Sequence, residues 1–99
     1  MSQYDAIPAH MMSGIQRYVS HGVPPGDFLT AIICNDLKKA VEHADDTNMT
    51  LIHLYVKYFY NHTPAPCWGS RGKMDAWVAA IEVARRQAFD SLPDNFEVG

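Results

Sequence analysis

His21-Gly-Val-Pro-Pro-Gly-Asp-Phe-Leu-Thr-Ala-Ile-Ile-Cys-Asn-Asp-Leu37 decides how this chain folds. The first half is a stiff turn: Gly22 can take the left-handed conformation that closes a preceding helix, and Pro24 cannot continue one. The second half restarts regular structure near Pro24 or Pro25, with Asp27 close enough to the new N-terminus to favour the helix dipole. Phe28, Leu29, Ile32, Ile33 and Leu37 then recur at helical spacing, and Ala40, Val41 and Ala44 extend the pattern. That is the clearest helical stripe in the sequence, and it predicts one continuous helix as far as Ala44.

Upstream, residues 7–20 place Ile7, Met11, Ile15, Tyr18 and Val19 on one helical face, with Pro8 in the first turn. Downstream, Asp45-Asp-Thr-Asn48 is a polar break in which Thr47 or Asn48 can cap a third helix over about residues 49–61. Leu51, Ile52, Leu54, Tyr55, Val56, Tyr58 and Phe59 fall on almost every face of it, so it is expected to be well buried. After the loop at 61–69, Ser70 is a candidate N-cap for a last helix over about 71–89, with Met74, Trp77, Val78, Ile81 and Ala84 inward. Residues 90–99 contain Pro93 and little periodicity and are expected to fray. Residues 51–59 are the one strand candidate, but they lie between a capping signal and the helically spaced Tyr55 and Phe59. The expected fold is all-α: a compact bundle of about four helices in a single domain over residues 1–89.

Ninety-nine residues suit one domain, whose stability should be on the order of 5–10 kcal/mol. With 47% hydrophobic and 19% charged residues the composition is globular. The net charge is −3, and the basic residues are scattered singly or in pairs (Arg17, Lys38-Lys39, Lys57, Arg71, Lys73, Arg85-Arg86). Non-specific nucleic-acid binding, which rests on a dense cationic footprint, is therefore not expected. No run is long and apolar enough to span a membrane. Cys34 and Cys67, with no secretory segment before them, read as reduced thiols of a cytoplasmic protein.

None of the five histidines (His10, His21, His43, His53, His62) is spaced as a metal pair on one helical turn, so neither a metal nor a cofactor is expected. Glu42, His43, Asp45 and Asp46 lack the spacing and turn glycine of a calcium loop and read as a solvated helix end. Cys67 has His62 and Arg71 nearby in sequence, which is proximity without the positioned base that a nucleophile needs. No catalytic residue is assigned.

Eight residues are candidates for ligand or partner binding. Asn35 and Asp36 sit at the border of the apolar stripe. They either satisfy a loop backbone or cap a neighbouring helix, or they hydrogen-bond a ligand held against the turn that contains His21, Pro25 and Gly26. Trp68, Ser70 and Arg71 combine a stacking surface, a hydroxyl at a helix N-terminus and a guanidinium. Those parts suit a phosphate and a base, unless Ser70 is simply an N-cap and Trp68 a buried anchor. Tyr55, Tyr58, Tyr60 and Phe59 are core and subunit interface or a binding platform, and they favour a homo-oligomer.

The segments Ile7-Pro8, Tyr18 through the Pro-Pro-Gly turn to Asn35-Asp-Leu37, Ala44-Asp45, Asn48, Tyr60-Asn61 and Pro66-Cys-Trp-Gly-Ser70 carry a resemblance. The pattern H-G-[IV]-P-P-G-x-F-L-x-A, then N-D-L, A-D, Y-N and C-[WH]-G-S, resembles that of small accessory proteins of tailed phages and prophages, over roughly residues 7–77. The chain departs from the commonest form at Asp27, where many such proteins have glycine, and at Arg71-Gly72. An acid at position 27 argues against an anion site on the turn itself. The resemblance implies a phage product acting in the cytoplasm of a bacterial host.

The expected function is stoichiometric binding without catalysis, directed at a host defence protein or a signalling nucleotide. In this reading Trp68, Ser70, Arg71 and the 21–26 turn form one convergent surface, with Asn35 and Asp36 orienting it from below. Two alternatives stand beside it. One is a small enzyme acting on a nucleotide or nucleic acid, with His21 or His62 as general base and Asp36 as its orienter. The other is a structural or regulatory phage component.

Overall fold

The computed structural model describes residues 3–90. The residues expected to fray lie outside these, except Asp90, which ends the last helix. A short 3-10 segment, Gln3–Ala6, leads into α1 (Ala9–His21), α2 (Asp27–Ile33), α3 (Leu37–His43), α4 (Asp46–His62), a second 3-10 turn (Ala65–Cys67) and α5 (Arg71–Asp90). Among the described residues there is no strand. The architecture is all-helical, with five helices rather than four.

α1 starts one residue after Pro8, whose carbonyl accepts the Met11 and Met12 N–H groups. It ends at Gly22 in the left-handed conformation (φ 68°), whose N–H returns to the Tyr18 carbonyl, as the glycine-proline spacing predicts. Ile15 and Tyr18 are fully buried on its inner face.

The continuous second helix is the main correction. α2 stops at Ile33 because Asn35 takes a left-handed conformation (φ 58°) and Asp36 starts a new helix. The Asn35 N–H bonds the Ile32 carbonyl and the Asp36 N–H bonds the Ala31 carbonyl at 2.8 Å, the paired pattern of a left-handed helix terminus. The Asp36 carboxylate then accepts the Lys39 N–H at 3.1 Å. Asparagine tolerates the left-handed region and aspartate is a favoured N-cap. The Asn-Asp pair therefore breaks the helix where the apolar stripe alone continues through it. Five of the seven α2 residues are buried, whereas α3 buries Ala40 alone.

α4 begins earlier than expected. Its cap is Asp45, which accepts the Asn48 N–H at 2.7 Å, and neither Thr47 nor Asn48 serves. Asn48 is instead buried, and its amide oxygen accepts the Tyr55 hydroxyl at 2.7 Å. Nor is α4 buried all round: Leu54, Tyr55 and Phe59 enter the core, while Met49, Val56 and Tyr60 stay exposed.

The 3-10 turn is tied to the body by two long-range bonds. The buried Tyr18 hydroxyl donates to the Cys67 carbonyl at 2.6 Å, and the Gly69 N–H donates to the Ile33 carbonyl at 2.7 Å. Ser70 caps α5 by accepting the Lys73 N–H at 3.1 Å, as the sequence suggests. α5 packs through Met74, Trp77, Val78 and Ile81 and passes the end of α1. There the Trp77 indole donates to the Val19 carbonyl and Arg85 to the His21 carbonyl. Ala84, expected inward, is exposed.

Candidate functional site

The helix break at Asn35 creates a cleft. α2 presents Asp27, Thr30, Ala31 and, just past its end, Cys34 along one side; Asp36, Lys39 and His43 come from the start and outer edge of α3; Arg71 reaches in from the first turn of α5. The cleft holds about 510 Å³. Spacing explains the lining, because positions 27, 30, 31 and 34 share one face of α2 and positions 39 and 43 share one edge of α3.

Several lining groups already have local work. One Asp36 oxygen caps α3, and the Thr30 hydroxyl donates to the Pro25 carbonyl at 3.2 Å. The Cys34 thiol lies 3.6 Å from the Met74 sulfur. The Arg71 guanidinium is 3.6 Å from Asp75 one turn along its own helix, an exposed pair that restrains it weakly. Lys39, His43 and Asp27 are exposed, and among the described residues no acid lies within ion-pair distance of Lys39. The cleft is thus a mixed-charge recess with two carboxylates, an ammonium, a guanidinium and an imidazole around a small apolar floor at Ala31.

Of the eight residues singled out from sequence, the structure brings Asp36 and Arg71 into this cleft. Pro25 stands behind its wall, holding Thr30, and Gly26 is the exposed N-cap of α2. Asn35 lines a neighbouring shallow groove with Leu37, Ala40, Ile52 and Val56, which shares Ala31 and Asp36 with the cleft. His21 is remote, on a polar patch with Ser13, Gln16, Arg17 and Ser20. Trp68 is half-buried, its ring 5.7 Å from that of Phe59, and Ser70 is engaged as a cap. Of the 21–26 turn and the 68–71 loop, Arg71 alone lines the cleft, opposite Asp27, the residue that follows the turn. Thr30, Cys34, Lys39 and His43 were missed. Their helical registers are visible in the sequence, but they share a recess only once the helix is broken at Asn35.

The Cys67 thiol is buried and held above its ordinary range by that burial, so it is no exposed thiolate. His62 is not its base: the imidazole packs edge-on to Tyr4 at 5.0 Å and beside Tyr58 at 5.4 Å. Among the described residues no group of three or more His, Cys, Asp or Glu side chains is placed to hold a metal ion, and no helix is long and apolar enough to cross a membrane. No protein-family model, no curated protein and no solved structure matches the chain.

Proposed function

We propose that the protein is a small phage-encoded binding protein that inhibits a host antiviral defence stoichiometrically, engaging an effector protein or a signalling nucleotide in the cleft between α2, α3 and α5. The observation that carries the reading is the cleft itself. Two residues far apart in sequence, Asp36 and Arg71, meet there with Lys39, His43 and Asp27. Such a recess suits a ligand bearing both charged and hydrogen-bonding groups. Trp68 does not line it, so stacking of a base on that indole finds no support. This favours a protein side-chain cluster over a nucleotide as the target. The resemblance to phage accessory proteins supplies the context of a phage product acting inside a bacterial host. The enzymatic alternative, with His21 or His62 working beside Asp36, loses support because neither imidazole lines the cleft.

The test is plating of a defence-sensitive phage on bacteria that carry individual defence systems and express the protein. Wild type is expected to restore plating against at least one system. Arg71→Glu with Lys39→Glu is expected to abolish the rescue while circular dichroism stays helical. A protein that relieves none of the systems, or relief that survives the double reversal, overturns the proposal. Target loss at far less than one equivalent of protein overturns its stoichiometric character.

A further inference from the structure

Away from the cleft, three elements bring aromatic rings to one shallow recess. The Gln3–Ala6 segment lies against α4, where the Lys57 ammonium donates to Gln3 Oε1 and the Asn61 amide to the Tyr4 hydroxyl, each at 3.3 Å. Ile7 follows directly and is buried, its N–H bonded to the Tyr4 carbonyl at 3.0 Å. Tyr4 is thereby set beside α4. Tyr58 and His62, one turn apart on that helix, and Met12 and Gln16, one turn apart on α1, complete the lining of a space of about 430 Å³. None of these five residues lines the cleft.

The rings form a corner. Tyr58 and His62 are inclined at 35° with centroids 5.4 Å apart and make one wall. Tyr4 stands at 81° to the first and 87° to the second, with centroids at 5.4 Å and 5.0 Å, and makes the other. An aromatic face carries the negative part of the ring quadrupole, so a corner of rings attracts a cation. The Met12 thioether adds a polarisable surface beside them. Among the described residues neither a carboxylate nor a lysine or arginine lines the recess, and Arg17 and Lys57 line other depressions. That composition selects among cations. A primary ammonium or a guanidinium would bring N–H donors with no carboxylate to receive them. A quaternary ammonium has no N–H donor, spreads its charge over methyl groups and leaves no hydrogen bond unmade when it leaves water.

We propose that Tyr4, Tyr58 and His62, with Met12 at their edge, form a binding site for a quaternary ammonium group carried by a small solute of the choline type. The trimethylammonium head sits in the corner between the two walls, and the net charge of −3 favours the approach of a cation. Gln16 and His62 are exposed, so the rim stays wet. Two or three ring contacts at such a partly exposed site hold the ligand with a dissociation constant on the order of a millimolar. The assignment is independent of the function proposed for the cleft, with which the recess shares no lining residue.

The test is titration of choline chloride into the full chain, with ionic strength held constant by sodium chloride, followed by NMR. Choline is expected to shift the resonances of Tyr4, Met12, Tyr58 and His62, and its own methyl protons should move upfield because they lie over ring faces. Its neutral carbon isostere, in which a tert-butyl group replaces the trimethylammonium, has the same shape without the charge and is expected to bind at least about tenfold more weakly. Tyr4→Leu and Tyr58→Leu keep apolar bulk while removing a ring, and each should weaken choline binding by roughly tenfold; Tyr58→Phe, which keeps the ring, should bind as wild type does. If the leucine variants lose helical circular dichroism, the comparison of choline with its isostere on the wild-type chain decides alone. Co-sedimentation with phosphatidylcholine vesicles, against phosphatidylglycerol vesicles, separates the two sources of the group: retention identifies a lipid headgroup, and choline binding without retention a free solute. Equal affinity for choline and its isostere, resonance shifts confined to other surfaces, or no saturable shift by tens of millimolar choline overturns the proposal.

Discussion

Tyr18→Phe tests the bond that holds the 3-10 turn against α1. The ring is fully buried, and its hydroxyl donates at 2.6 Å to the Cys67 carbonyl, 49 residues along the chain. Phenylalanine keeps the ring and its packing, so no cavity opens. What changes is that a buried carbonyl oxygen loses its donor, a defect worth about 1–3 kcal/mol. In a domain of this size each kcal/mol moves the melting temperature by about 4–8 °C, so the midpoint should fall by roughly 4–24 °C. Urea and thermal denaturation followed by circular dichroism give the value, with an unchanged urea m-value showing that the unfolded reference is the same. Hydrogen exchange should localise the effect: the Gly69 amide, bonded to the Ile33 carbonyl, is expected to lose protection before the amides of α2. A stability change below about 0.5 kcal/mol, or equal loss of protection everywhere, would refute the view that this hydroxyl anchors the turn.

Gly22→Ala is expected to cost about 1–3 kcal/mol in chemical denaturation, because the site has φ 68° and a Cβ there would stand 3.2 Å from the Ile81 Cβ. At Asn35 the left-handed backbone predicts that Asn35→Gly keeps or slightly raises stability while Asn35→Ala lowers it by about 1 kcal/mol. If Asn35→Gly instead melts several degrees lower, the side chain has a role besides bending the chain. Stability should also fall in alkali. Burial pushes the Tyr55 phenol from 10.0 up to about 12, and Tyr18 moves the same way. The folded state thus keeps these groups neutral where the unfolded chain ionises, so stability is full below pH 10 and declines as pH rises through about 12. The urea midpoint measured from pH 8 to pH 12 checks this, and Tyr55→Phe should flatten the decline.

The elements that local signals specify were legible. Gly22 before Pro24 marks the end of α1, and Ser70 marks the start of α5, each by chemistry confined to a few residues. The break at Asn35 was not read, because periodicity averages over a window and the apolar spacing from Phe28 to Ala44 is in phase on both sides of the joint. The capping of α4 went astray for a different reason. Asp45, Thr47 and Asn48 are all competent caps, and the choice falls to Asp45 because Asn48 is drawn into the core by the Tyr55 hydroxyl. That contact joins residues two turns apart on α4 itself, and its effect on the cap lies outside the few residues that capping signals span. The cleft was half legible: Asp36 stood out at the border of the apolar stripe and Arg71 as a guanidinium beside the Ser70 cap, whereas His43 fell in a stretch that reads as a solvated helix end.

The Asn35-Asp36 joint decides more than the helix count. Had the helix continued from Ile33, Leu37, Ala40, Val41 and Ala44 would have followed Leu29, Ile32 and Ile33 into the core. The joint instead turns α3 so that Ala40 alone seats against the body. The two edges of the short helix are thereby left outside: Lys39 and His43 face the cleft, while Leu37 and Val41 stay exposed. A helix of seven residues makes too few internal hydrogen bonds to hold itself. Its direction therefore depends on the left-handed Asn35, the Asp36 cap and the Ala40 contact, and both edges inherit their geometry from those three residues. A substitution that relaxes the joint should for that reason degrade the cleft and the seating of Ala40 together, whereas Arg71→Glu should alter the cleft alone.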